Sequence, residues 1–267
     1  MNLKEKYGPW AVIAGASEGV GKAFAHRVAA EGINCILLSR RIEPLEQLAI
    51  ELKAAHRIEC VTASIDLSTV DAVDAIINAI GGREVGLFIA NAGADSINSR
   101  FLDRPYCEWQ DLIHRNVLMV AGCCHHLGGL MRERKRGGII LVGSGACYGG
   151  SSFMAVYSGT KAFDLCFGEG LWTELRPYGV DVLNLILGQT DTPAFRETLA
   201  KMGQPVPENL AAPEDVARVG LQRLPHGPVH NWGLEDDAAG YAPSSAAARR
   251  SRIEAIDRAT KAIFGDN

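Results

Sequence analysis

Short apolar runs recur along the chain, and each is separated from the next by an amphipathic stretch with helical spacing. Runs of this length predict buried strands, and helices between them indicate β-α-β units with a parallel sheet covered on both faces. The predicted fold class is α/β, a doubly wound, mostly parallel sheet flanked by helices, forming a single domain over residues 1–267. The predicted strands are residues 10–14, 34–39, 58–63, 85–90, 138–143 and 180–187.

Two segments interrupt this alternation. Residues 190–212 contain three prolines and one glycine around a short apolar helix with Phe195, Leu199 and Met202. A long segment of this kind after the sixth predicted strand favours a mobile lid over a substrate. Residues 244–267 carry apolar side chains at helical spacing and predict a helical tail, packed on its own domain or on a neighbouring subunit.

A glycine-rich turn follows the first predicted strand. Gly15, Gly19 and Gly21 form a Gly-x-x-x-Gly-x-Gly pattern that leads into a helical stretch. A strand, a glycine turn and a helix N-terminus together present free backbone N–H groups, which suit a pyrophosphate. The Walker phosphate loop is excluded, because Ala23 stands where that motif needs Ser or Thr. A simple tight turn is the alternative interpretation of the glycines alone.

Tyr157 and Lys161 lie four residues apart, and Ser144 precedes the tyrosine. On a helix, side chains at i and i+4 share a face, with Cβ atoms ~6 Å apart. An ammonium beside a phenol stabilises the phenolate by roughly 3.5–4 kcal/mol at an effective dielectric of ~20. The pair therefore predicts a proton-transfer catalyst that works near neutral pH. The alternative is a packed tyrosine beside a solvated lysine.

Composition narrows the classes of function. The chain has 267 residues, 47% hydrophobic and 22% charged, and this size suits one α/β domain. A net charge of −4 gives no support for nucleic-acid binding. The sequence has no apolar run of the ~20 residues that a membrane span needs, and its N-terminus is too polar for a signal peptide. We therefore expect a cytoplasmic protein with no membrane contact. Seven cysteines without a Cys-x-x-Cys pair, and histidines without helical metal spacing, predict no metal site.

With these motifs in order, the chain resembles the short-chain dehydrogenase/reductase family from Trp10 to about Gly233. Within the family it looks most similar to the steroid and long-chain 3-ketoacyl reductases, through residues 19–25 and 37–40. The resemblance implies a Rossmann-like fold and a dinucleotide coenzyme. Besides the glycine turn and the Tyr157/Lys161 pair, the matching pieces are Asp66-Leu67, Asn91-Ala92-Gly93, Asn116 and Ser144.

The resemblance also implies catalytic roles. Tyr157 matches the acid/base, and Lys161 matches the lysine that supports it and binds the nicotinamide ribose. Ser144 would donate a hydrogen bond to the substrate oxygen, where negative charge develops. Asn116 matches the helix asparagine that holds a water linking the lysine to solvent.

Further residues are expected to bind the coenzyme. Arg40 follows the second predicted strand, where an acidic residue would favour NAD, so its guanidinium favours the 2′-phosphate of NADP(H). Glu18 weighs against this choice, because many NADP-preferring relatives carry a basic residue there, and NAD stays possible. The resemblance implies these further coenzyme contacts: Gly15, Ser17, Gly19, Val20 and Gly21 with the phosphates, Asp66 and Leu67 with the adenine, Asn91, Ala92 and Gly93 with its ribose, and Thr190 or Thr192 with the carboxamide.

The expected reaction interconverts a secondary alcohol and a ketone, and the expected substrate is a moderately bulky, apolar small molecule such as a steroid or an acyl thioester. A homodimer or homotetramer is expected from the family. The alternative is a dinucleotide-binding sensor or scaffold of the same fold without turnover. A serine hydrolase is excluded, because Gly143-Ser144-Gly145 lacks the nucleophile-elbow spacing. A further set of apolar residues could line the substrate pocket or belong to the core. They are Ala146, Cys147, Tyr148, Phe153, Met154, Phe195, Leu199 and Met202.

Overall fold

The computed structural model describes residues 2–95 and 97–231, with positions 255, 258, 259 and 261–263 beyond them. The described strands form one parallel sheet in the order β3-β2-β1-β4-β5-β6-β7. This order confirms the predicted doubly wound α/β fold. The strands are β1 Trp10–Ala14, β2 Asn34–Ser39, β3 Cys60–Ser64, β4 Val85–Ala90, β5 Gly137–Ser144, β6 Val180–Leu187 and β7 Val229–Asn231.

Helices cover both faces of the sheet. Local signals set several of their ends: Thr192 caps the N-terminus of one, and Gly81 ends another in the left-handed conformation. None of the helices in the described ranges is long and apolar enough to span a bilayer. They are α1 Leu3–Tyr7, α2 Gly19–Ala30, α3 Ile42–His56, α4 Ala72–Ile80, α5 Tyr106–Ile113, α6 Met119–Arg134, α7 Ala155–Leu175, α8 Pro193–Lys201 and α9 Pro213–Arg223.

The sheet separates two hydrophobic cores. Side chains alternate across a strand, so Ala11 and Ile13 of β1 pack on one face, while Val12 and Ala14 pack on the other. The first core is shared with α2, α3 and α9, and the second with α4 and α6. Burial on both faces explains why these strands read as continuous apolar runs in the sequence.

The predicted strands differ from the observed ones at three places. The fifth is one residue longer at each end than predicted, Gly137–Ser144 against 138–143. The third runs from Cys60 to Ser64 and not over residues 58–63. The edge strand β7 has no counterpart among the predicted strands, because Val-His-Asn is too short and polar to produce an apolar run. It pairs with β6 through Asn184 and Val229.

The predicted lid begins and ends close together. Thr190 and Ala211 form a parallel bridge, and α8 fills the segment between them. Met202 lies just after α8, so the short helix is one residue shorter than its apolar pattern. Opening and closing of residues 190–212 stays a prediction. Most of the predicted tail, residues 244–267, lies outside the described residues, although those described within it are helical.

Leu37 lies in β2 with none of its surface exposed, whereas Leu102 is 88% exposed. We expect Leu37→Ala to lower the free energy of unfolding by about 2–5 kcal/mol, because it leaves a cavity in a close-packed core. Leu102→Ala removes the same atoms from the surface and should change that free energy by less than about 0.5 kcal/mol. Urea unfolding followed by circular dichroism measures both, and equal losses would contradict the assignment of the core.

Candidate active site

The order of the strands reverses at β1, which has β2 on one side and β4 on the other. In open α/β sheets, ligands bind outside the carboxyl ends of the strands at such a reversal. The glycine turn follows β1 at this point, and Asn91 follows β4. The two are joined by a hydrogen bond of 3.0 Å from Asn91 Nδ2 to the carbonyl oxygen of Gly15.

The glycine turn is packed too tightly for a side chain at Gly15 or Gly21. Gly15 has a φ of +81°, which favours glycine. A Cβ atom on Gly21 would lie 1.9 Å from the carbonyl oxygen of Gly15 and 2.6 Å from Asn91 Nδ2. The start of α2 therefore rests directly on the backbone of the turn. This contact fixes the first N–H groups of α2 at the edge of the crevice.

Glu18 occupies the N-cap position of α2, and its side chain does not cap the helix. The carboxylate instead forms an ion pair with Arg41, which follows β2. The first N–H groups of α2 therefore have no side-chain acceptor from their own N-cap. An anion at this helix end would meet both these donors and the positive end of the helix dipole.

Arg40 and Asp66 lie at the ends of β2 and β3, in the same cavity as the glycine turn. Arg40 makes no ion pair with any residue that the structure describes, in contrast to Arg41. Asp66 accepts hydrogen bonds from the side chain and the backbone N–H of Ser68, and these hold the pKa of its carboxyl below the ordinary value. Both ionised groups thus face the same end of the crevice.

Tyr157 and Lys161 lie on α7, and Ser144 ends β5. All three line one cavity of about 1000 Å³, together with the glycine turn and residues 91–93. Ser144 Oγ accepts a hydrogen bond from the N–H of Ala146 at 3.3 Å, which holds the side chain in the turn after β5. A phenol, an ammonium and a hydroxyl are thus gathered beside the glycine turn.

Lys161 is buried, with 4% of its surface exposed. Its Nζ donates hydrogen bonds to the carbonyl oxygen of Val142 at 2.9 Å and to Asp164 Oδ2 at 3.0 Å. Burial alone would lower the pKa of Lys161, but the negative charge of Asp164 and its hydrogen bond to the ammonium contribute to a net rise. Lys161 is therefore a buried cation, and it has a carboxylate partner that the Tyr157/Lys161 spacing does not predict.

Asn116 is completely buried within a π-helical turn, His114–Leu118, that connects α5 to α6. Its Nδ2 donates to the carbonyl oxygen of Gly93 at 3.1 Å and to Thr160 Oγ1 at 3.0 Å. Short π-helical turns inside α-helices are frequent at functional sites. This one joins the loop after β4 to the helix that carries Tyr157 and Lys161.

The family model for short chain dehydrogenases matches residues 9–203, about three quarters of the chain. The chain belongs to the short-chain dehydrogenase family. It is thus an oxidoreductase acting on CH–OH or ketone groups, as the resemblance implies.

Similar proteins agree with this assignment. The chain is 34% identical to a 7beta-hydroxysteroid dehydrogenase of Mediterraneibacter gnavus over 226 residues, 84% of this chain and 86% of that protein. It is 28% identical to very-long-chain 3-oxoacyl-CoA reductase-A of Danio rerio, over 90% of this chain and 72% of that one. A solved structure from work on 7beta-hydroxysteroid dehydrogenase stereoselectivity superposes with a TM-score of 0.85 at 29% identity, over 96% of this chain and 99% of the other. The predicted likeness to steroid and 3-ketoacyl reductases is confirmed.

Nearly all the site residues expected from the sequence meet at the cavity. Gly21 and Asn116 do not line it: Gly21 packs behind the glycine turn, and Asn116 packs behind Gly93. The expected residues along its wall are Gly15, Ser17, Gly19, Val20, Arg40, Asp66, Leu67, Asn91, Ala92, Gly93, Ser144, Tyr157, Lys161, Thr190 and Thr192.

The apolar residues expected to line the pocket are divided. Ala146, Met154 and Phe195 line the cavity. The remaining five do not, and two of them show why: Leu199 is buried against the protein, and Tyr148 turns its hydroxyl to Asn231. Those five are Cys147, Tyr148, Phe153, Leu199 and Met202.

Several residues of the site were not expected. Arg115 and Asp95 also line the cavity, and burial lowers the pKa of Arg115 and raises that of Asp95. Arg115 precedes Asn116 in the sequence, which is the signal that could have pointed to it. Asp164 stands three residues after Lys161, at a spacing that pairs opposite charges on a helix. Within the described ranges, no cluster of three potential metal ligands occurs.

The packing at Gly21 generates a test. We expect Gly21→Ala to lower the free energy of unfolding by about 1–3 kcal/mol and to weaken NADPH binding, because the added methyl forces the turn and α2 apart. Gly129→Ala is the matched control, since no atom lies within 4 Å of its added Cβ in α6. It should be neutral or stabilising by up to about 1 kcal/mol. Urea unfolding and NADPH fluorescence titration measure the two effects; a Gly21→Ala variant that binds NADPH normally would contradict this packing.

Proposed function

We propose that this protein uses NADP(H) to interconvert a secondary alcohol and a ketone, with Tyr157 as the acid/base. The observation that carries the proposal is the single cavity shared by Tyr157, Lys161, Ser144 and the glycine turn. A proton carrier, a buried cation and a hydrogen-bond donor stand where a nicotinamide and a carbonyl group would meet. A non-catalytic dinucleotide sensor would need the glycine turn but not the Tyr157, Lys161 and Ser144 side chains.

The proposed division of labour follows from these three side chains. During reduction, the Tyr157 hydroxyl gives its proton to the carbonyl oxygen of the substrate; during oxidation, the phenolate takes the proton back from the alcohol. Lys161 stabilises the phenolate through its positive charge. Ser144 Oγ donates a hydrogen bond to the same substrate oxygen. Hydride exchange with the substrate carbon would come from a nicotinamide coenzyme bound in the cavity.

The residues of the cavity fit a phosphorylated dinucleotide. The glycine turn leaves no room for side chains beside the first N–H groups of α2, where a pyrophosphate would bind. Arg40 would take the 2′-phosphate, since its planar guanidinium matches phosphate oxygens. Glu18, the acidic residue that weighs against NADP, is held by Arg41. Asp66, Leu67 and residues 91–93 would hold the adenosine.

The substrate is proposed to be a moderately bulky, apolar ketone or secondary alcohol. The part of the cavity beside Ser144 and Tyr157 has apolar walls from Ala146, Met154 and Phe195. By their names, the relatives act on a hydroxysteroid and a 3-oxoacyl-CoA. Ketosteroids and 3-oxoacyl thioesters are therefore the first compounds to assay.

Tyr157→Phe tests the catalytic role. With NADPH and the best ketone from a panel of ketosteroids and 3-oxoacyl thioesters, we expect kcat to fall about 10²–10⁴-fold, because the proton donor is lost. The coenzyme absorbance at steady state measures the rate. Tyr178→Phe, at an exposed position near the end of α7, is the matched control and should keep wild-type kcat. If Tyr157→Phe turned over as fast as Tyr178→Phe, the proposed function would fail.

Arg40→Gln tests the coenzyme preference. Removing the guanidinium should raise the Kd for NADPH about 10-fold or more, which is the loss of one charge-assisted contact, and leave that for NADH nearly unchanged. Fluorescence titration with each coenzyme gives both constants. Arg132→Gln, on α6 and packed against Tyr178, removes the same charge elsewhere and should alter neither. Equal weakening of both coenzymes would argue against a 2′-phosphate contact.

A further inference from the structure

Three ionisable side chains stand in a row on one face of α7. Tyr157, Lys161 and Asp164 occupy positions i, i+4 and i+7, which repeat on the same side of a helix. Tyr157 reaches the cavity, whereas Lys161 and Asp164 are 4% and 3% exposed. The ammonium therefore lies between the phenol and a buried carboxylate, which it contacts at 3.0 Å.

We propose that Asp164 is a positioning residue for the reaction: its buried carboxylate holds the Lys161 ammonium and offsets part of its charge, and so sets the pH range in which Tyr157 exchanges its proton. The inference rests on the proposed function, because it assigns Tyr157 the proton transfer. It adds Asp164, as a third ionisable group, to Tyr157 and Lys161.

The positioning follows from the donors of the ammonium. A lysine ammonium carries three N–H donors. Two of them are used by Asp164 Oδ2 and the carbonyl oxygen of Val142. Gly93 also lies close to the ammonium, since a Cβ atom there would lie 3.0 Å from Nζ. Asp164 thereby fixes where Nζ lies relative to the loop after β4, leaving one donor for the cavity side.

Asp164 acts on two proton equilibria. Its negative charge opposes the phenolate of Tyr157, about 10 Å away along the helix axis. At an effective dielectric of ~20, that repulsion corresponds to a shift on the order of one pH unit. The same charge keeps Lys161 protonated, because burial would otherwise lower the pKa of Lys161. Removing the carboxylate should therefore make both groups lose their protons at lower pH.

Other titratable groups surround this row on the elements packed against α7. Except for Asp181 itself, the groups named here are unchanged in Asp164→Asn and in Asp181→Asn, so a difference between these two variants reports the substituted carboxylate. Burial holds the pKa of the Cys124 thiol well above its ordinary value, which keeps that group neutral. Further groups on these elements include Arg115 and His114 of the π-helical turn, Asp111 of α5, Asp181 of β6, and Cys147 and Tyr148 after β5.

Asp164→Asn keeps the shape of the side chain and removes its charge. We expect both limbs of the pH profile of kcat for alcohol oxidation with NADP⁺ to move to lower pH by about one unit. The probe is the hydroxysteroid or 3-hydroxyacyl thioester that the wild type oxidises fastest. Asp181→Asn is the matched control, because Asp181 also pairs with a lysine, Lys6, but at the opposite end of the sheet. Its profile should superpose on that of the wild type. A wild-type profile for Asp164→Asn would overturn the proposal.

A second readout needs no substrate. The ultraviolet absorbance of tyrosinate is titrated in the free protein, and subtracting the matching Tyr157→Phe protein isolates Tyr157. The titration of Tyr157 should move to lower pH in Asp164→Asn and stay in place in Asp181→Asn. An unmoved titration in Asp164→Asn would overturn the inference. Full activity of Tyr157→Phe would contradict the proposed function. The absorbance titration would still measure the effect of the Asp164 charge on Tyr157.

The buried pair also has a signature in stability. Lys161→Met leaves the Asp164 carboxylate buried without its cation, so it should lower the urea midpoint of unfolding. Adding Asp164→Asn to Lys161→Met should restore part of that midpoint, whereas adding Asp181→Asn should not. Additive losses in the Lys161→Met/Asp164→Asn protein would mean that the two groups are not coupled, and the proposal would fall.

Discussion

A buried ammonium is the constraint on which the site depends. Taking a charge out of water costs several kcal/mol unless hydrogen bonds and an opposite charge replace the solvent. Lys161 meets this requirement with a carbonyl oxygen from β5 and a carboxylate from its own helix. The sheet, α7 and the loop after β4 must therefore keep fixed positions relative to Lys161 Nζ. The same arrangement brings Tyr157 to the cavity.

The sheet supplies this arrangement by its topology. Parallel strands end on the same side, so the turns after β1, β4 and β5 reach one crevice although they are far apart in sequence. Asn116 then links two of the layers, because its amide bonds both Gly93 and Thr160. A displacement of α7 would break the contacts of Asn116 and Lys161 together. The site is accordingly coupled to the packing of the second core.

The sequence could predict those features of the fold and of the site that depend on a local pattern of residues. Strands buried on both faces give apolar runs, and an i, i+4 pair on one helix needs no distant contact, so the sheet and the Tyr157/Lys161 pair could be found without a structure. The edge strand β7 is too short to leave a pattern. Asp164 lies three residues after Lys161, at a spacing that the sequence displays. A charged side chain on a helix is usually solvated, however, and only the packing of α7 shows that Asp164 is buried. Leu199 was ambiguous for the same reason: an apolar pattern does not separate pocket from core.

Charge pairing also explains how an acidic residue fits beside the proposed phosphate site. Glu18 at the start of α2 would repel an anion at that helix end, but its carboxylate is turned toward Arg41. At an exposed position such an ion pair contributes at most about 1 kcal/mol to stability. Its larger effect is on the local field, because it cancels the charge of Glu18 and leaves Arg40 as the cation beside the turn. The proposed preference for a phosphorylated coenzyme then depends on two neighbouring arginines, of which Arg41 pairs with Glu18 and Arg40 does not.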